Sequence, residues 1–111
     1  MSNIFEIADK TGKNIILTKE GWTHIREYHY NVEEPEEISQ TLQNPDKIIA
    51  DEREGVVYFF KYFKHKKWKS KFLKVIVKYL NGDGIVLSAH FVRNIKWKEI
   101  WISTMMKKEI T

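Results

Sequence analysis

Four histidines and a run of lysines, with no cysteine, bound the chemistry open to this chain. His24 and His29 lie close together in the first third, His65 sits among lysines, and His90 follows Ser88 in an apolar run. Without thiols there is no disulfide framework, thiol nucleophile or zinc-thiolate site. His24 and His29 are five residues apart, roughly 140° around a helix, so they cannot ligate one metal as an i,i+4 pair could. No metal and no cofactor are therefore expected. Ser88 lacks the glycines of a nucleophile elbow, which argues against hydrolysis by a serine triad. Phosphodiester chemistry fits better. Cleaving RNA through its own 2′-hydroxyl needs a base, an acid and cations for the charge gathering on phosphorus. Histidine can fill either proton-transfer role near neutral pH, and lysine can stabilise the charge. The candidate catalytic set is His24, His29, Lys74, Ser88 and His90. Arg26, Arg53, Tyr58, Lys78 and Arg93 are candidate contacts to phosphates or bases.

These residues need elements to hold them. Lys71–Leu80 and Ile85–Arg93 are β-branched, aromatic-rich runs around Asn81-Gly-Asp-Gly84, which predicts an antiparallel hairpin. Alternation puts Leu73, Val75, Val77 and Tyr79 on one face and Lys74, Ile76 and Lys78 on the other. In the second strand Ile85, Leu87, Ala89 and Phe91 are expected on the apolar face, opposite Val86, Ser88, His90 and Val92. Matching faces requires Val77 opposite Leu87 and Val75 opposite Ala89, hence an odd loop or a bulge at a glycine. That register sets Ile76 opposite Ser88 and Lys74 opposite His90.

Before the hairpin, Ile4–Ala8 and Asn14–Leu17 read as short strands around a turn. Thr18 is an expected N-cap for a helix over Lys19–Tyr30. Trp22, Ile25 and His29 share one stripe of that helix, so His29 also fits a hydrogen-bonded core histidine. His24 and Tyr28 form a second stripe. Pro35 in the first turn and the surrounding glutamates open a second helix, which Asn44-Pro45-Asp46 stops. Lys47–Glu52 and Val56–Phe63 read as strands joined by a turn at Arg53–Gly55. The segment after Asn94 fits either a helix, with Trp97, Ile100, Trp101 and Met105 on one stripe, or a terminal strand. Its aromatic residues could dock on a partner or a second copy. The expected architecture is α+β, with N-terminal helices on a roughly four-stranded antiparallel meander. The chain is expected to form one domain over residues 1–111, with an N-terminal strand segment over 1–17 and a tail over 95–111.

The chain has 111 residues, enough for one core, and a net charge of +4. Its charge is unevenly spread. Glu33–Glu54 holds eight acidic residues against Lys47 and Arg53, and Lys61–Lys78 holds eight lysines and no acid. Such a basic stretch suits either a polyanion or a solvated lysine-rich hairpin. No run approaches eighteen apolar residues and the start lacks the pattern of a signal peptide, so a cytoplasmic, non-membrane protein is expected.

The runs Ile16-Leu-Thr-Lys-Glu-Gly-Trp-Thr-His24-Ile-Arg-Glu-Tyr-His29, Leu42-Gln-Asn-Pro-Asp-Lys-Ile48, the Tyr58 strand, Leu73-Lys-Val-Ile-Val-Lys78 and Ile85-Val-Leu-Ser-Ala89 together suggest a family. In this order they resemble the small phage and toxin-type members of the barnase–EndoU–colicin E5/D–RelE-like nuclease fold, over residues 15 to 93. The resemblance implies a metal-independent endoribonuclease, the toxin of a toxin–antitoxin pair, with RNA as substrate and an antitoxin protein as partner. Members often carry a proline after the second helix histidine, where this chain has Tyr30. They favour Thr-Ala-Tyr or an arginine at the end of the last strand, where this chain has Ser88-Ala89-His90. His24 and Ser88 carry over from the family pattern better than Lys74 or His90. The alternative expectation is a non-catalytic nucleic-acid-binding or protein-interaction domain of the same fold.

Overall fold

A computed structural model describes residues 3–95, and the expectations for the tail beyond Ile95, including its docking role, fall outside the described residues. The first strands, β1 (Phe5–Ala8) and β2 (Asn14–Leu17), form a hairpin. Its turn is organised by Asp9, whose carboxylate accepts from the backbone N–H of Thr11 (2.8 Å) and Lys13 (3.0 Å) and from the Thr11 hydroxyl (2.6 Å). Thr18 caps α1 (Lys19–Tyr28) as expected, its side chain accepting from the Gly21 N–H at 2.9 Å. This helix ends two residues before the predicted Tyr30. Arg26 closes it off by donating to the carbonyls of Tyr30 (2.5 Å) and Val32 (2.6 Å). Pro35 starts α2 (Pro35–Gln43), and Glu37 reaches back to accept from the N–H groups of Glu33 and Glu34.

Four further strands follow: β3 (Lys47–Ala50), β4 (Val56–Tyr62), β5 (Phe72–Leu80) and β6 (Asp83–Val92). They form the expected antiparallel meander. The sheet, however, has six strands rather than four, in the order β1-β2-β6-β5-β4-β3. The N-terminal hairpin joins it through a short parallel pairing of Ile15 and Ile16 with Gly84 and Ile85, which makes the sheet mixed. The fold class α+β holds; the four-strand count does not. Sequence periodicity reports which residues form a strand and carries no information about which distant strand it will meet.

Both helices contribute to one apolar cluster. Ile25 of α1 and Ile38 and Leu42 of α2 pack there with Ile15, Leu17, Phe59, Leu73, Val75, Val77, Val86, Ala89 and Phe91. The other face of the sheet carries a smaller cluster of Ile49, Val56, Tyr58 and Phe60, with Ile76, Val92 and Ile95 against it. Among the described residues no helix is long and apolar enough to cross a membrane.

The central hairpin departs from the expected register in one place. Its loop is Asn81-Gly82 (φ 55° and 89°), the two-residue turn whose twist suits antiparallel strands. An even loop leaves the faces mismatched, and a bulge at Leu87 restores them. Ile76 pairs with Ser88, and the next residue, Val77, pairs with Val86. The expected pairs Val75–Ala89, Ile76–Ser88 and Lys74–His90 form, whereas Val77–Leu87 does not. Between turn and bulge the faces of β6 are inverted relative to expectation: Val86 is buried, and Ile85 and Leu87 are exposed. The bulge inserts its extra residue mid-strand, away from any glycine, where alternation alone gives no warning.

Candidate functional site

One side of β6 is only partly paired. Strand β2 pairs with it only at Gly84 and Ile85, so within the described residues no strand borders the edge from Leu87 to Val92. Helix α1 runs along this stretch. At one end, a β carbon on Gly21 would lie 3.8 Å from the carbonyl oxygen of Val86, an ordinary contact distance that places the start of α1 against β6. At the other, the His29 ring stacks on that of His90, with centroids 5.0 Å apart and planes at 29°. Gly21 to His29 spans about 12 Å of helix, and Val86 to His90 about 13 Å of strand. The two segments therefore run in the same direction.

His90 alternates with Ala89 and Phe91, both of which face the helices, so its side chain leaves from the other face. The contact with His29 therefore passes around the open edge of β6. His29 is half-buried at the C-cap of α1, and His24 is exposed, its ring 4.7 Å from that of Tyr28. Burial disfavours the imidazolium of His29 and lowers its pKa, and the nearby charge of His24 lowers it further. Of these two histidines, one is exposed to water and the other is partly desolvated.

The lysines are placed less simply. Lys74 sits directly across the ladder from His90, and its buried ammonium lies over the rings of Tyr58 (4.3 Å) and Phe60 (6.0 Å) on β4. Lys78 is four residues further along β5, roughly 13 Å away. It donates to the Glu54 carbonyl at 2.7 Å, so it does not join the histidines. Ser88 is half-buried two residues before His90. Of the proposed contact residues, Arg26 is used to close α1. Arg53 and Tyr58 are tied to Asp51 beside β3 and β4, with the Tyr58 ring under the Lys74 ammonium. Arg53 Nε donates to Asp51 at 2.5 Å, and the Tyr58 hydroxyl donates to the same carboxylate at 2.8 Å. The bond from Arg53, with that from Tyr58, holds the Asp51 pKa down to about 2. Arg93 is exposed just beyond β6.

The basic loop is not uniformly solvated either. Lys66 is buried, ion-paired with Glu33 (2.9 Å) and Glu37 at the start of α2 and lying 5.1 Å over the Phe91 ring. Desolvation alone would lower its pKa, but the two carboxylates outweigh this and raise it. Lys71 donates to the Lys64 carbonyl (3.2 Å) and the Lys66 carbonyl, and Lys61 to the Asn44 carbonyl (3.2 Å). Lys64, Lys67 and Lys69 are left exposed on a loop that Lys66 pins beside Phe91, the residue next to His90. That loop borders a cleft of about 320 Å³ lined by Glu33, Glu37, His65, Lys66, Lys67 and Trp68. Lys66 was not among the residues expected to matter. Its burial follows from Glu33 and Glu37 being brought opposite it, which the linear spacing does not reveal.

Among the described residues, no group of three or more histidine, aspartate or glutamate side chains is arranged to hold a metal ion. Compared with known proteins, the chain matches no family model, no curated protein and no solved structure.

Proposed function

We propose that this protein is a metal-independent endoribonuclease acting at the open edge of β6, where His29 meets His90. The observation that carries the reading is that stack, flanked by His24 on the helix and by Ser88 and Lys74 on the sheet. His29, whose partial burial disfavours the imidazolium, is the base that takes the 2′-hydroxyl proton. His24, exposed on the same helix and near enough for its charge to act on His29, is the acid that protonates the leaving 5′-oxygen. His90 fixes the His29 ring through the stack, and Ser88 orients the phosphate. Lys74 contributes its field from the neighbouring strand, and a charge held in a partly dry setting acts more strongly than one in water. The exposed lysines of the 64–70 loop guide the polyanion toward the edge. A cytoplasmic toxin, restrained by an antitoxin protein, is the biological setting this chemistry suits.

The test is incubation of purified protein with total RNA in EDTA. The expected result is cleavage leaving 2′,3′-cyclic phosphate ends, reduced about 10²- to 10⁴-fold in His29→Ala and in His24→Ala. RNA that binds but stays intact makes the protein a binding module. Cleavage unchanged in both variants removes the histidine mechanism.

A further inference from the structure

Tyr28 and Tyr30 are, among the described residues, the two most exposed large apolar side chains, at 64% and 75%. They immediately flank His29 in the chain, and no packing role accounts for either. Tyr28 rests against the His24 ring at 4.7 Å, which limits its rotamers without covering it. The Tyr30 backbone is fixed by Arg26, whose guanidinium holds the Tyr30 and Val32 carbonyls together and is itself 5.9 Å from the Trp22 ring. Two exposed aromatic side chains thus come from the residues directly before and after the histidine that the proposed reaction uses as its base, one resting on the His24 ring and the other on a backbone that Arg26 holds. Fixing the backbone that carries a ring lowers part of the entropy lost on binding. The cations that a nucleic-acid backbone needs are close by, because Lys66 docks the loop bearing Lys64, Lys67 and Lys69 onto the start of α2, next to Phe91.

We infer that Tyr28 and Tyr30 form a stacking platform that selects single-stranded RNA. This rests on the ribonuclease reading above for the placement of the scissile bond, though the platform binds whether or not the bond is cut. Stacking requires a base whose face is free. In an A-form duplex both faces are occupied by neighbouring pairs, so the platform engages loops and unpaired stretches and rejects helices. Base–aromatic stacking is sequence-tolerant, so the selection acts on strandedness and not on sequence.

The experiment measures binding of a fluorescent 2′-fluoro RNA dodecamer, which lacks the attacking hydroxyl, as a single strand and as a duplex at fixed salt. Wild-type protein is expected to favour the single strand at least tenfold. Tyr28→Ala and Tyr30→Ala should each lose roughly 5- to 150-fold of that affinity, while Tyr28→Phe and Tyr30→Phe stay within about threefold. Both side chains are exposed and Arg26 grips backbone, so the alanine variants keep the fold; thermal melts verify this. Equal affinity for single strand and duplex, or alanine variants within twofold of wild type, overturns the inference. The two readings fail separately. Single-strand binding that depends on the tyrosines in a protein that never cuts RNA keeps the platform and removes the nuclease. Cleavage of single-stranded and duplex RNA alike, indifferent to both tyrosines, removes the platform and keeps the nuclease.

Discussion

Gly84→Ala probes the junction on which the six-stranded sheet depends. Gly84 pairs with Ile15 across the parallel β2–β6 contact and with Tyr79 across the hairpin. A β carbon there would sit 2.6 Å from Ile15 Cδ1, 2.9 Å from Val77 Cγ1 and 3.1 Å from Tyr79 Cδ1. None of the three can easily retreat. Ile15 and Val77 are fully buried, and the Tyr79 hydroxyl donates to the buried Asp9 carboxylate. Overpacking of this kind costs about 1–3 kcal/mol, and the immobility of the neighbours places the expected cost in the upper half, about 2–3 kcal/mol. With an unfolding entropy of about 2.1 cal/mol/K per residue, a chain of 111 residues loses about 4 °C of Tm per kcal/mol, so the shift should be roughly 9–13 °C. The closest atom is the δ-methyl that Ile15→Val removes. That substitution alone costs about 0.5–1.5 kcal/mol by opening a small cavity. Combined with Gly84→Ala it should instead recover about 1 kcal/mol, because the new methyl occupies the vacated space. Thermal melts and urea titrations of the four proteins close the cycle. A Gly84→Ala shift under about 2 °C, or costs that simply add, would refute the packing argument and with it the placement of the N-terminal hairpin against β6.

Three further outcomes follow from the charges. Lys66→Met leaves the largely buried Glu37 carboxylate without its cation, so urea unfolding should show a loss of about 1–3 kcal/mol, while Lys66→Met with Glu37→Gln recovers part of it. His29 has its pKa lowered in the fold, so below the unfolded value of about 6.5 the unfolded chain binds more protons. Stability is therefore complete above that value and falls as the pH drops toward the folded pKa; His29→Gln should flatten this limb of the stability curve, and NMR titration should show the His29 pKa rising in His24→Gln. Lys78→Ala should leave RNA cleavage within threefold of wild type, because its ammonium is tied to the Glu54 carbonyl, whereas Lys74→Met should slow cleavage at least tenfold.

Local physics wrote much of this protein into its sequence. Thr18 as a cap, Pro35 as a first helical residue and Asn81-Gly82 as a turn each act through their own backbone neighbours, so residue type and spacing were enough to place them. The pairing of Lys74 with His90 was equally legible, because strand alternation fixes it once two faces must match. The distant decisions were not. Gly84 gives no sign in the sequence that Ile15 will lie against it, and the bulge at Leu87 exists only because an even turn had to be reconciled with two apolar faces. The approach of His29 to His90 depends on β2 leaving β6 after two residues and on α1 taking the vacated edge. That is a choice among long-range packings that differ in total burial, and no window of neighbouring residues encodes it. The sequence by itself determined which side chains could move a proton or hold a phosphate. Only the tertiary structure decided that His29 and His90 would meet and that Lys78 would not, because contact between remote segments is set by the whole core and not by the segments alone.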